Sequence, residues 1–250
     1  MSDSQGSDTI IALNVQSLRA GYARHTVLKD VNLAVQRGEW CALLGPNASG
    51  KTTLLHCVGG MLAPDTGVIE ICSRDLRSDP PHAKQQLGFA CAPDRLPGLL
   101  TGRQCLEVYA AAKGLASIDA DVLQLADALR FTPMLDMFVD TCSLGTRQKL
   151  AVLCGLLGSP GLIVLDEAFN GLDPASALVL KKHLRARVSE GRCAVLLATH
   201  DLDIVEHYAD RAALILNGRI AHEWSKENLS ALRASSWEGI EAALAAASAE

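Results

Sequence analysis

The sequence predicts an α/β protein in which helices cover both faces of a mostly parallel sheet. In the later part of the chain, short apolar runs typical of buried strands alternate with segments of helical spacing. The first part is rich in strand patterns, whereas the middle, about residues 98–160, is rich in helical patterns. We therefore expect one α/β core with the helical middle inserted into it.

The first part of the chain supplies several strands and the first core helix. Apolar residues alternate or cluster between turn signals at residues 10–18, 27–35, 68–71 and 87–90. Residues 39–44 form a short run that is continuously apolar after Glu39, as expected for a strand buried on both faces. Gly45 and Pro46 follow that run at once, and residues 51–58 are predicted to form a helix.

The later part of the chain returns to strand signals after the helical middle. Helical spacing is found at residues 102–113, 119–130, 144–157, 175–188 and 201–207. Strand patterns recur at residues 162–165, 194–198 and 212–216. The Ala-rich tail, residues 226–250, is predicted to be helical, and residues 1–9 are predicted to be disordered.

Composition limits the function classes. Apolar residues make up 49% of the 250 residues and aromatic residues only 4%, which predicts a sizeable aliphatic core. The formal net charge of −5 argues against a protein whose main task is to neutralise nucleic-acid phosphates. We therefore expect no nucleic-acid partner.

The eight cysteines form no C-x-x-C pair and have no histidine at metal-ligand spacing, which favours small buried side chains in a reducing cytosol. The polar, acidic N-terminus lacks the features of a signal peptide. The longest apolar stretch, residues 151–165, is too short and too interrupted by glycine and proline to span a bilayer. Any work at a membrane is therefore expected to require a partner.

A phosphate-binding loop is predicted at residues 45–52, which fit the pattern G-x-x-x-x-G-K-[ST]. The two glycines let the backbone wrap phosphate oxygens, and a helix N-terminus presents N–H groups to the anion. Lys51 would reach the β- and γ-phosphates, and Thr52 would offer its hydroxyl to Mg²⁺. The candidate nucleotide-binding residues are Gly45, Pro46, Asn47, Ala48, Ser49, Gly50, Lys51, Thr52 and Thr53.

A pair of acids ends the apolar strand at residues 162–165. A buried strand of this kind would deliver Asp166 to the carboxyl edge of the sheet, where ligands of α/β proteins bind. Asp166 would hold Mg²⁺, and Glu167 would polarise the water that attacks the γ-phosphate. The pair is weak evidence alone, because many strands end in aspartate, but the upstream phosphate-binding loop strengthens it.

Further segments resemble motifs of the ATP-binding-cassette (ABC) ATPase family. Residues 142–149 are similar to its signature motif, residues 170–174 look like its D-loop, and residues 198–201 look like its switch-histidine loop. Tyr22, which follows Gly21, matches the aromatic residue that stacks on adenine, although plain packing would also explain it. The motifs follow the family's order, and the resemblance covers roughly residues 10–225.

The resemblance implies a P-loop NTPase fold, specifically an ABC-type nucleotide-binding domain at residues 10–225. This domain has an N-terminal antiparallel β subdomain and an inserted helical subdomain at about residues 98–160. The implied cofactors are ATP and Mg²⁺. The implied partners are membrane-spanning transporter subunits and a second ATPase subunit, which is either the same or a different chain.

The resemblance also implies residue roles. Glu167, His200 and Lys51 are the expected catalytic residues. Two copies would pair head to tail, so that Ser143 and Gly145 of one copy cap the ATP held by Lys51 of the other. Ser143 would at the same time be the N-cap of its helix. Asp173 of the D-loop is a further expected nucleotide contact.

Two motifs depart from the family's usual pattern. The signature has Leu144 and Thr146 where glycine and glutamine are common, a variant that resembles exporter-type ATPases. The Q-loop match is the weakest: matching without gaps puts Ala92 at the glutamine position, and matching on the proline puts Asp94 there. We prefer Asp94 and expect it to contribute to the metal site.

The resemblance thus predicts an ATP-hydrolysing motor subunit of a transporter, peripheral on the cytoplasmic face of the membrane through a partner. The exporter-like signature favours an exporter. An importer motor and a soluble ABC ATPase of an assembly complex are the alternatives.

Overall fold

The computed structural model describes residues 10–23 and 25–234. The strands are β1 (Ile11–Tyr22), β2 (His25–Gln36), β3 (Trp40–Leu44), β4 (Thr66–Ile71), β5 (Arg74–Asp75), β6 (Leu87–Ala90), β7 (Leu162–Asp166), β8 (Ala194–Ala198), β9 (Arg211–Leu216) and β10 (Arg219–Trp224). The helices are α1 (Lys51–Val58), α2 (Pro80–Gln85), α3 (Gly102–Ala112), α4 (Ala120–Ala128), α5 (Leu144–Leu156), α6 (Pro174–Ser189), α7 (Leu202–Tyr208) and α8 (Lys226–Ala234). The predicted disorder at residues 1–9 and the tail beyond α8 lie outside the described residues.

The strands form an antiparallel sheet and a mostly parallel sheet. The antiparallel sheet has the order β2-β1-β4-β5. The larger sheet has the order β10-β9-β3-β8-β7-β6, in which only the pairing of β9 with β10 is antiparallel. The predicted fold class, with its N-terminal antiparallel strands and its parallel core sheet, is confirmed.

Both faces of the parallel sheet are buried, as the apolar run at residues 39–44 predicts. Side chains of a strand point alternately to opposite faces. Trp40, Ala42 and Leu44 of β3 accordingly enter the core under α3–α6, whereas Cys41 and Leu43 enter the core shared with α1 and the antiparallel sheet. Because β3, β7 and β8 run parallel, the loops after their carboxyl ends meet at one edge of the sheet.

The helical middle leaves the core after β6 and returns along α5. Short 3₁₀ turns at Pro93–Arg95, Thr132–Met134 and Val139–Thr141 separate its helices. The second half of α5 packs directly on β6, where a Cβ atom on Gly88 would lie only 2.3 Å from the carbonyl oxygen of Gly155. The two glycines therefore seat this end of α5 firmly on the core sheet.

Most helix boundaries differ from the prediction by one or two residues because of capping. Asp173 accepts a hydrogen bond from the Ser176 N–H, so α6 begins at Pro174, a residue favoured in the first helical position. Asp201 likewise caps α7. Strand β5, helix α2 and strand β10 were not predicted. No helix of the described residues is long and apolar enough to cross a bilayer.

Candidate nucleotide-binding site

The phosphate-binding loop, residues 45–52, joins β3 to α1. A Cβ atom on Gly45 would lie 2.5 Å from the carbonyl oxygen of Ile215, so the loop can pass β9 only with glycine here. Gly50 adopts φ 115° as the N-cap of α1 and offers no side-chain cap. With no acidic residue in the first turn, the N–H groups there and the positive end of the helix dipole are available to an anion.

Lys51 is 8% exposed, and its ammonium donates hydrogen bonds to the carbonyl oxygens of Gly45 (2.6 Å) and Pro46 (3.0 Å). Burial lowers the pKa of this lysine below its ordinary value, while the negative charges of Glu167 and Asp166 act in the opposite direction. A buried cation held only by neutral carbonyls is costly unless an anion completes its surroundings. The loop is therefore suited to a phosphate.

Two loop residues carry further signs of an anion site. The buried Ser49 hydroxyl has no hydrogen-bond partner within the described residues, so a ligand oxygen would satisfy it. Ala48 adopts φ 63°, a left-handed conformation that costs a residue with a Cβ atom about 1–2 kcal/mol. Such strain persists where the surrounding structure dictates the backbone, which is common at ligand sites.

A cavity of about 550 Å³ lies over the loop. From the predicted set it is lined by Asn47, Ala48, Gly50, Lys51, Thr52, Thr53, Asp166 and Glu167. Gly45, Pro46 and Ser49 shape the loop behind it. The sequence did not single out the remaining lining residues, His25, Thr26, Val27, Lys29, Asn217 and Gly218.

The turn between β9 and β10 supports the phosphate-binding loop. The Gly218 N–H donates to the carbonyl oxygen of Ser49 (3.0 Å), and the Gly218 carbonyl accepts from the Lys29 N–H (2.7 Å). Asn217 and Gly218 both have positive φ, as expected for the two central residues of a tight hairpin turn. An Asn-Gly pair directly after an apolar strand pattern is a strong hairpin signal, so the sequence could have revealed this turn.

The two acids leave β7 at the same edge. The Glu167 backbone has φ 48°, and its N–H donates to the carbonyl oxygen of Ala198 (3.0 Å). One Glu167 carboxylate oxygen lies 3.0 Å from His200 Nδ1, and the other accepts from Asn170 Nδ2 (3.3 Å). The structure thus brings Glu167 and His200 together as a pair, and it adds Asn170, which the sequence analysis placed in the D-loop without a contact to Glu167.

A second cavity, of about 500 Å³, adjoins the metal-binding candidates. Thr52, Asp166 and Asp94 all line it, together with Glu167. Ala92, the alternative Q-loop position, lines the same cavity but carries no ligand atom in its side chain. No group of three or more metal-ligating histidine, cysteine or acidic residues occurs among the described residues.

This donor set fits Mg²⁺ in a nucleotide complex. Mg²⁺ prefers oxygen ligands and usually keeps several waters, with one or two carboxylates and the substrate phosphates completing its shell. The hydroxyl of Thr52 and the carboxylates of Asp166 and Asp94 provide such oxygens. A closed cage made only of protein side chains is not needed for this ion.

Tyr22, the candidate adenine-stacking residue, ends β1 and is 49% exposed. Its hydroxyl lies 3.5 Å from Nδ1 of His56, which is one turn after Thr52 in α1. Tyr22 does not line the cavity over the phosphate-binding loop. The structure therefore places the ring beside α1, and its role against adenine stays a prediction.

The signature segment forms the start of α5. Ser143 is exposed and caps this helix by accepting from the Thr146 N–H (3.2 Å). Gly145 packs against the predicted D-loop, since a Cβ atom there would lie 2.6 Å from the carbonyl oxygen of Gly171. The sequence assigned Gly145 to phosphate contact in a second copy and did not reveal this contact within the chain.

The predicted D-loop is tied to α5 by a second contact. Lys149 Nζ lies 3.1 Å from the Asp173 carboxylate and donates to the carbonyl oxygen of Leu129 (2.9 Å). Hydrogen bonds from the Ser176 hydroxyl and N–H, with a smaller effect of Lys149, hold the pKa of Asp173 well below its usual range. Neither Ser143 nor Asp173 lines the two cavities of its own chain.

Comparison with known proteins agrees with this geometry. Residues 28–170, more than half of the chain, match the family model described as ABC transporter. The chain is 32% identical over 209 residues to the Nod factor export ATP-binding protein I of Ralstonia nicotianae. This match covers 83% of the chain and 65% of that relative. It is 29% identical over 229 residues to the probable multidrug ABC transporter ATP-binding protein YbhF of Escherichia coli, covering 91% of the chain but 39% of that relative. The chain therefore spans only part of the length of both curated relatives.

A solved structure described as the ATP-binding subunit of an ABC transporter has the same fold. Its TM-score with this chain is 0.81, at 30% sequence identity, and the match covers 94% of this chain and 99% of the other.

Proposed function

The chain belongs to the ABC transporter family of ATP-binding proteins, and we propose that it hydrolyses Mg-ATP to drive an exporter whose membrane-spanning subunits are other chains. The observation that carries this proposal is the environment of Lys51. Within the described residues its buried ammonium has only carbonyl partners, and Lys51 lines one cavity with Asp166 and Glu167. A triphosphate with its metal ion would balance the charges of all three side chains.

The residues around the cavity divide the chemistry between them. Lys51 and the first-turn N–H groups of α1 bind the β- and γ-phosphate oxygens and stabilise the charge that develops on them. Thr52, Asp166 and Asp94 would hold Mg²⁺, which supplies further neutralisation of that charge when bound.

Glu167 acts on the attacking water. Its carboxylate is held from both sides, by Asn170 and by His200, so it is already oriented to accept a hydrogen bond from the water and to polarise it. His200 is exposed, and it would reach the γ-phosphate while it keeps Glu167 in place.

A second copy of the cassette would complete the site. Ser143 is exposed at the positive end of α5, yet it does not line the cavities of its own chain. The adjacent Leu144 does line the second cavity, so the assignment of Ser143 to the nucleotide of another cassette rests on its exposure and on the family resemblance. A head-to-tail pair related by a twofold axis would let each copy cap the ATP of the other.

Export by separate membrane subunits is supported by two observations. The names of the two relatives refer to Nod factor export and to multidrug transport. The helical middle also exposes large apolar side chains, with Leu99 85% exposed and Phe138 54% exposed. Exposed apolar residues of this kind are typical of surfaces that contact another protein. The chain would sit on the cytoplasmic face of the membrane through that contact.

Steady-state ATP turnover of Glu167→Gln tests the assigned chemistry. We expect turnover to fall at least about 100-fold while ATP binding persists, because the amide cannot serve as a base. Glu107→Gln, an exposed change on α3, is the matched control and should keep full turnover. Full turnover in Glu167→Gln would remove the proposed role of this residue.

Co-purification tests the partner. The chain should be recovered from detergent extracts together with a membrane-spanning protein, and Leu99→Glu should reduce that recovery while the ATP turnover of the free chain stays unchanged. Recovery of the chain without a membrane protein would argue for a soluble assembly factor.

A further inference from the structure

A cluster of thiols lies outside the nucleotide site, between the helical middle and α5. The Sγ atoms of Cys105 on α3 and Cys154 on α5 are 3.9 Å apart, and both residues are almost completely buried. Cys91, just after β6, has its Sγ atom 3.7 Å from the hydroxyl of Tyr109, which is one turn after Cys105. Nothing in the proposed hydrolysis uses these side chains.

The two close cysteines lie in parts of the fold that are attached differently to the core sheet. Cys154 precedes Gly155, where a Cβ atom would lie 3.0 Å from the backbone nitrogen of Ala90 in β6, so this end of α5 packs closely on the core sheet. Cys105 belongs to the first helix of the helical middle. A covalent bond between them would tie α3 to the core through α5, the helix that carries Ser143 at its other end.

The two sulfur atoms are at van der Waals distance. A disulfide has its sulfur atoms about 2.05 Å apart, so the two Sγ atoms must approach by roughly 1.9 Å. The packed helices α3 and α5 already place the side chains in contact. Side-chain rotation and a small helix shift would supply the remaining distance.

The two thiols differ in acidity in a way that suits stepwise oxidation. The hydrogen bond from the Cys154 thiol lowers the pKa of Cys105, whereas burial raises the pKa of Cys154. Cys105 is therefore the thiol more easily converted to the reactive thiolate, and because both cysteines are buried, peroxide reaches it when the helical middle opens locally.

We propose that Cys105 and Cys154 are a redox modification site, which hydrogen peroxide converts to an intrachain disulfide that tethers α3 to α5. The Cys105 thiolate attacks one peroxide oxygen and becomes a sulfenic acid, and the displaced hydroxide takes up a proton to give water. Cys154 then loses its proton and attacks the Cys105 sulfur, and a second water leaves. Two thiols and one peroxide thus give one disulfide and two waters.

Peptide mapping of the full chain after peroxide treatment tests this inference. The native protein is oxidised, denatured in an alkylating agent and digested. We expect a linked peptide pair that contains Cys105 and Cys154, lighter by two hydrogen atoms and separated again by a reducing agent. The inference fails if both cysteines are recovered as alkylated free thiols, or if peroxide links another pair instead.

Thermal unfolding supplies a second measurement. A crosslink that closes a loop of about fifty residues should raise the unfolding midpoint by about 5–10 °C, and reduction should reverse the rise. Cys105→Ser and Cys154→Ser should abolish the rise, whereas Cys91→Ser, the matched control, should retain it. An oxidised wild-type protein with an unchanged midpoint would show that α3 and α5 are not tethered. ATP turnover enters neither readout, so the result is independent of the proposed hydrolysis.

Discussion

Replacement of Lys51 by methionine separates nucleotide binding from fold stability. Among the residues that the structure describes, the ammonium makes hydrogen bonds only to the carbonyl oxygens of Gly45 and Pro46 in the free protein. Each such bond from a charged donor contributes about 1.5–3 kcal/mol, but removal of the buried charge also relieves a desolvation cost of several kcal/mol. Because the two effects oppose each other, the unfolding midpoint of the nucleotide-free variant should stay within a few degrees of wild type.

The response to Mg-ATP should differ strongly between the two proteins. A ligand at 100 times its dissociation constant stabilises the protein by about 2.7 kcal/mol, which for a chain of this size is a rise of about 5–10 °C in the unfolding midpoint. Loss of one partner of a buried charge pair costs about 3–5 kcal/mol. The affinity of Lys51→Met should therefore fall by roughly 100-fold or more, and the rise should disappear.

Differential scanning fluorimetry with and without Mg-ATP measures both quantities. Lys113→Met is the matched control, because this half-buried lysine also donates to backbone carbonyls, those of Lys84 (3.0 Å) and Gln85 (3.4 Å), away from the phosphate-binding loop. The control should keep the full response to nucleotide. A Lys51→Met protein that is stabilised by Mg-ATP as much as wild type would refute the assignment of the phosphate site.

Three further outcomes are expected. Ala48→Gly should raise the free energy of unfolding by about 0.5–1 kcal/mol in urea titrations, because glycine tolerates φ 63°, and a loss of stability would contradict this. Gly145→Ala should lower the free energy of unfolding by about 1–3 kcal/mol, because its Cβ would meet the Gly171 carbonyl oxygen at 2.6 Å. Leu144→Ala beside it should change this free energy little. Equal stability of the two variants would argue against the contact. Burial lowers the pKa of Lys113 to about 8 from its ordinary value of 10.5. Between these pH values the unfolded chain binds more protons than the folded protein, so the stability of wild type relative to Lys113→Met should increase as pH rises. Urea titrations of both proteins from pH 8 to about 10.5 measure this, and parallel curves would contradict it.

Local patterns in the sequence were sufficient to predict the core of the fold. The helix at residues 51–58 and the strands at residues 87–90 and 194–198 are observed with the predicted bounds. The two strands are short apolar runs buried in the core sheet, and the helix directly follows Gly50, which is its N-cap. β10 was missed because it is a polar edge strand, largely exposed, with no alternation of apolar residues.

Contacts between distant residues could not be derived from the sequence. The approach of Gly145 to Gly171 depends on how α5 meets the loop after β7, and the contact of Cys105 with Cys154 joins residues 49 positions apart. The bond of Asn170 to Glu167 is local, three residues apart, but no pattern of residue types marked it, and the Glu167 backbone there has a positive φ. Motif spacing located the site, and the tertiary structure supplied the contacts that support it.

The central claim is that one ATP is bound by the phosphate-binding loop of one cassette and by the α5 tip of another. Sedimentation velocity of Glu167→Gln with Mg-ATP tests it most directly, because this variant should bind nucleotide without hydrolysing it. The account predicts a dimer that retains two ATP molecules and a monomer when ADP replaces ATP. A monomer saturated with ATP would contradict it.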